Sequence, residues 1–125
     1  MSEMSVPSSS QYLASFVKLK GLKEDGIFTD LELVVGEHRI QCHKVILAAA
    51  SPFFFKMLTS EMKEGREGRV EIRGFDFSVI SLIVNAVYGE ELRINEENVQ
   101  EVLQACHQYE MDAFIAQCTK FIAKH

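Results

Sequence analysis

The side chains with most chemistry to offer are three cysteines and four histidines. Four of these residues form two adjacent pairs, Cys42-His43 and Cys106-His107, and Cys118 stands alone. A structural zinc site wants Cys or His pairs two to four residues apart, twice over. Adjacent residues on a strand or helix point in different directions. The spacing therefore gives no metal centre, and no cofactor is called for. A Cys-His dyad for nucleophilic attack would have to be assembled in space, and no local feature supports one. Glu90-Glu91 and Glu96-Glu97 fall in a turn and at a helix start, where negative charge offsets the helix dipole. Gly65-Arg-Glu-Gly68 reads as a flexible loop. There is no G-x-S-x-G, P-loop, dinucleotide fingerprint or H-E-x-x-H. Catalysis is not the expectation.

The elements that position these residues follow from periodicity. The first ten residues are Ser-rich with Pro7 and read as a loose tail. Ser10 caps a helix over about Gln11–Lys23, and Gly26 stops it. Its apolar residues, Tyr12, Leu13, Phe16, Val17, Leu19 and Leu22, cover more than one face. Leu31, Leu33 and Val35 alternate, then His38, Ile40 and Cys42. Gly36-Glu37 between them suits a type II′ hairpin. A helix over Lys44–Ala50 follows, then Ser51 as N-cap and Pro52 at the first helical position of a helix to about Leu58. Thr59 to Gly68 reads as a polar loop, and Arg69–Arg73 as a strand. Asp76 or Ser78 caps a helix to Tyr88, which Gly89 ends. Leu92–Ile94 reads as a very short strand. Asn95 caps a helix whose Val99, Val102, Leu103 and Cys106 share one face. Met111, Phe114, Ile115, Cys118, Phe121 and Ile122 form the stripe of the last helix. Cys42, Cys106 and Cys118 thus all lie on apolar faces and are expected to be buried core thiols.

The chain has 125 residues, 47% hydrophobic and 25% charged, which is one domain's worth of ordinary globular composition. Scaling from its mass gives roughly 6,800 Å² of accessible surface when folded. No apolar run is long enough to span a bilayer, and no membrane contact is expected. An odd number of cysteines without a secretory leader is expected to be reduced, in the cytosol or nucleus. The net charge is −5. Residues 1–60 carry six basic and six acidic groups, whereas residues 61–125 carry seven and twelve. Direct nucleic-acid binding needs clustered Lys and Arg, so the acidic second half points to a basic or neutral protein partner.

From Phe28 to about Ile122 the chain resembles a BTB/POZ domain of the Kelch-like type. The carrying stretches are Thr29-Asp30-Leu-Glu-Leu-Val-Val35, His43-Lys44-Val-Ile-Leu-Ala-Ala-Ala-Ser51-Pro-Phe-Phe54, Met57-Leu-Thr-Ser-Glu-Met-Lys-Glu64, and Glu97-Asn-Val-Gln-Glu-Val-Leu-Gln-Ala105. Val87-Tyr88-Gly-Glu-Glu-Leu92 departs from the family's Tyr-Thr-Gly-x-Leu. The resemblance implies an α+β fold, a helical cluster flanked by a small mixed sheet. It implies a tail over residues 1–10 and a domain over 11–125, with a dimerisation helix at about 11–24.

It also implies two interaction surfaces. One is a homodimer interface around Tyr12, Leu13, Phe16, Val17, Leu19 and Leu22. The alternative is that Tyr12, Phe16 and Leu19 bury within a monomer. The other is a site for the cullin-3 scaffold of a ubiquitin ligase, at a hydrophobic-x-Glu motif that Met62-Lys63-Glu64 matches. Beside it the helix residues Phe55, Met57 and Leu58 would floor a groove, and Tyr109 would wall it. Substrate would be met through a domain absent from this chain. Two other readings of the same resemblance are a corepressor-recruiting module of a transcriptional regulator and a bare self-association module.

Overall fold

The computed structural model describes residues 2–125. In chain order the elements are α1 (Ser9–Val17), α2 (Leu19–Glu24), β1 (Leu31–Val35), β2 (His38–Cys42), α3 (Lys44–Ala50), α4 (Pro52–Thr59), α5 (Lys63–Glu67), β3 (Arg69–Ile72), α6 (Phe77–Val87), α7 (Val99–Gln108) and α8 (Asp112–Lys124).

The sheet has the order β2-β1-β3. β1 and β2 form an antiparallel hairpin closed by the pair Val35 and His38. Gly36 takes the positive φ, +61°, that the first position of a type II′ turn demands. β3 returns parallel to β1 after α3, α4 and α5. Alternation puts Leu31, Leu33, Val35, Ile40, Cys42, Val70 and Ile72 on the buried face. His38 sits at the hairpin end, exposed, with its ring stacked on Phe77. The sheet residues share one core with Leu47, Phe54, the buried face of α6, Val102, Cys106 and Cys118.

Several helix ends explain themselves. Gly26 is left-handed after α2, its N–H donating to Lys23 O while Ile27 N–H donates to Leu22 O. That pair of bonds is a Schellman stop. The same pattern recurs at Gly89 after α6 and at Glu110 after α7. Asn98 rather than the expected Asn95 is the N-cap of α7, and Asn95 closes the turn ahead of it. The Asn95 side chain accepts from Asn98 N–H, and Asn98 reciprocates to Asn95 N–H.

Four other expectations are corrected. The first helix begins at Ser9 rather than Gln11 and is interrupted at Lys18, whose N–H donates to Ser15 O. Such an i→i−3 bond tightens the turn locally. The tightening suits the three-residue spacing of Phe16, Leu19 and Leu22. Within the expected tail, residues 2–8 carry no helix or strand, and Met1 lies outside the described residues. The segment Thr59–Gly68 is not all loop, because Lys63–Glu67 winds into one turn of helix. Leu92–Ile94 pairs with no strand, and Leu92 and Ile94 are instead half-buried against the core.

Candidate docking surfaces

The Met62 region is built from Ser51 outward. The Ser51 hydroxyl is fully buried, accepts from Phe54 N–H at 3.0 Å and donates to Tyr109 O at 2.5 Å. This fixes the start of α4 against the end of α7. Phe54 points inward, while Phe55, one residue on, points out and is 56% exposed. Met57 and Leu58 are half-buried and packed on the core. Ser60 ends the helix, its hydroxyl donating to Met57 O. Met62 then stands at the N-cap of α5, 56% exposed, with Glu64 half-buried in the first turn. A groove of about 640 Å³ opens beside them, lined by Met57, Lys63, Glu64, Glu67, Arg69, Val70, Glu71 and Arg73.

Tyr109 does not wall this groove. It is only 9% exposed, stacked on Phe54 at 5.4 Å and edge-on to Phe53 at 5.3 Å. Burial holds its phenol above the usual tyrosine range. An aromatic at the end of an amphipathic helix looks the same in sequence whether it turns in or out. What turns Tyr109 inward is the Phe53-Phe54 pair waiting beneath it. The structure therefore brings Phe55, Met57, Leu58, Met62 and Glu64 to neighbouring stretches of α4 and α5 and leaves Tyr109 in the core.

The helix expected at the dimer interface divides between its two faces. Leu19 packs on the core, Phe16 is half-buried near Gly89, and Leu22 is half-buried. Lys20 pairs with Glu90, and the Lys23 ammonium lies 5.7 Å over the Tyr88 ring. Tyr12 stacks on Phe16 at 6.0 Å and is 64% exposed, and the neighbouring face carries Leu13 and Val17, exposed at 59% and 72%. Leu19 and part of Phe16 thus serve the chain's own fold, while Tyr12, Leu13 and Val17 stay exposed on this helix. Sequence reasoning did not single out Phe28 and Val45, which are also exposed apolar side chains. Val45 had a signal in the apolar all-round run of α3. Phe28 had none, since its exposure follows from a left-handed φ of +61°.

Behind α2 lies a buried polar network that periodicity cannot reveal. Tyr88 Oη accepts from His43 N–H at 2.8 Å and lies 2.7 Å from His43 Nδ1. His43 Nε2 lies 2.9 Å from Ile27 O. A carbonyl can only accept, so Nε2 carries the hydrogen and the tyrosine donates to Nδ1. The network ties the α2–β1 loop to the C-terminal end of α6. No buried side-chain polar atom is left without a partner among the described residues.

The thiols are as enclosed as their stripes imply. Cys42, Cys106 and Cys118 are all free and buried. Burial pushes Cys42 up to about 12 and Cys106 up to about 12, and raises Cys118. Groups held neutral in this way make poor nucleophiles and poor metal ligands. No cluster of three or more His, Cys, Asp or Glu able to hold a metal occurs among the described residues.

Comparison with known proteins agrees with this architecture. The family model for the BTB/POZ domain matches residues 19–125. Mouse Kelch-like protein 8 is 35% identical over 107 residues, which is 86% of this chain and 17% of that protein. The chain therefore spans about a sixth of that relative's length. The BTB domain of human gigaxonin superimposes with a TM-score of 0.83 at 26% identity, covering 97% of this chain and 98% of that one. The BTB domain of zebrafish PATZ1 shares the fold with a TM-score of 0.87 at 23% identity, covering 98% and 100%. The chain belongs to the BTB/POZ family and is a protein-interaction module similar to those of Kelch-like proteins.

Proposed function

We propose that this module self-associates through the outer face of α1 and holds the cullin-3 scaffold of a ubiquitin ligase through Met62 and Glu64. The observation that carries the scaffold contact is the exposure of Met62 and Phe55 beside a groove edged by Glu64. A flexible thioether is a good plug for an apolar pocket, and a carboxylate next to it can pair with donors around the pocket rim. Self-association is supported by α1, which buries none of its residues. Under this reading the chain acts by binding, and substrate recognition falls to a domain outside it.

Calorimetric titration with the N-terminal region of cullin-3 tests the scaffold contact. The parent should bind, and Met62→Ala with Glu64→Ala should weaken binding by about 2 kcal/mol or more, the size of a hot-spot loss. The melting temperature should hardly move, because both residues lie at the surface away from the core. A parent that fails to bind, or a double mutant that binds equally well, would leave the corepressor or bare self-association reading in its place.

A further inference from the structure

The geometry points to Lys44 as the positioning residue that sets the aim of Met62 and Glu64, an inference that rests on the docking role proposed for them. α5 has five residues, far too few to hold a helical turn without outside support. Its support comes from beneath. Lys44, half-buried at the first turn of α3, sends its Nζ to Gly65 O at 2.9 Å. A cation on a carbonyl near a helix C-terminus satisfies an acceptor and meets the negative end of the dipole.

The glycines show how closely this contact is fitted. A Cβ at Gly65 would stand 2.8 Å from Ser60 O and 3.0 Å from Leu58 O. One at Gly68 would stand 2.6 Å from Asp30 O, and Gly68 takes a φ of +66°. The same Asp30 accepts Lys44 N–H on Oδ1 at 2.7 Å, and Gly68 O accepts Glu32 N–H at 2.8 Å. Both ends of the Lys44 side chain are thus fixed. Its backbone is held by Asp30, and its ammonium holds the turn that follows Met62. Besides the ammonium, the ends of the turn are tied by Arg66 N–H to Met62 O at 3.2 Å and by Gly68 N–H to Glu64 O at 2.9 Å. Met62 and Glu64 supply the acceptors of those two bonds, so loosening the turn releases both docking side chains together.

The test uses the full chain and two readouts. Lys44→Met keeps the apolar stem and removes the donor. Amide exchange at Arg66 and Gly68 should quicken at least about tenfold, while His43 stays protected by Tyr88. Affinity for the N-terminal region of cullin-3 should fall about tenfold, and Lys44→Arg should restore both. Gly65→Ala, which displaces the carbonyl and leaves Lys44 intact, should reproduce the Lys44→Met result by an independent route. Unchanged exchange in both variants overturns the clamp. Faster exchange with parental affinity overturns the positioning role while sparing the docking reading. A parent that does not bind overturns the docking reading itself, and exchange then judges the clamp alone.

Discussion

Helices α1 and α6 are both rich in apolar residues, and the fold treats them in opposite ways. α6 buries Val79, Ile80, Ile83, Val84 and Ala86, whereas α1 buries nothing. The difference lies in what each meets. α6 is packed against α3 and α7, with Tyr88 at its end tied to His43. α1 is held only by its inner edge, Phe16 near Gly89 and the α2 residues that follow it. Fully covering a side chain such as Leu or Val is worth roughly 1.5–3 kcal/mol. Leaving Tyr12, Leu13 and Val17 uncovered therefore forgoes several kcal/mol that a partner surface could supply. An apolar stripe announces burial without saying whether the cover comes from the same chain.

Substitutions in the two helices should separate them cleanly. Ile83→Ala, in the core face of α6, should cost about 2–5 kcal/mol through lost burial and a residual cavity. That would lower the melting temperature by roughly 10 °C or more for a domain of this size. Val17→Ala should stay within about 0.5 kcal/mol at dilution low enough to separate copies. Equal losses at both sites would mean that α1 is covered within its own chain after all.

The outer face of α1 gives the next largest effect. Leu13→Glu with Val17→Glu should shift light scattering at micromolar protein from about twice 14.2 kDa to the single-chain mass, because charges cannot be desolvated there without partners. Melting of the dilute protein should change little. The corresponding charges at Phe16 and Leu19 should instead destabilise the chain, since those side chains rest on its own fold. A parent that scatters as a single chain at high concentration removes the self-association reading.

Much of this was legible in sequence, and the exceptions share a cause. The hairpin, the Ser51-Pro52 start, the Gly26 and Gly89 stops and the three buried cysteines follow from local rules, since each depends on neighbours a few residues away. Tyr109 was misplaced because its partners, Phe53, Phe54 and Phe75, lie far off in the chain. A helical wheel groups Leu19 with Tyr12 because it cannot foresee the interruption at Lys18. The turn over Lys63–Glu67 was hidden because its support, Lys44, is some twenty residues upstream. Periodicity identifies faces, and only packing says what each face meets.

The last test concerns the core side of the comparison and its response to pH. Cys42 and Cys106 are each held at about 12 by burial, and Cys118 is raised as well. In the unfolded chain a thiol titrates near 8.5. Between the two values the unfolded state binds fewer protons than the folded one, so stability falls as pH rises. Their contribution is fully present below about pH 8 and is lost progressively toward the folded value near 12. At about pH 10 the loss should be roughly 2 kcal/mol for each of Cys42 and Cys106, from 1.36 kcal/mol per unit of difference. Urea midpoints measured at neutral pH and at about pH 10 read this directly. Cys42→Ala and Cys106→Ala should each start lower from the lost packing and show a shallower alkaline decline. Tyr88, also raised by burial, adds to the decline only where unfolded tyrosine ionises, near 10 and above. A native thiol that reacts with an aromatic disulfide at neutral pH as fast as free cysteine, or a midpoint flat from 7 to 10, would mean that water reaches this core. α6 would then be no better covered than α1.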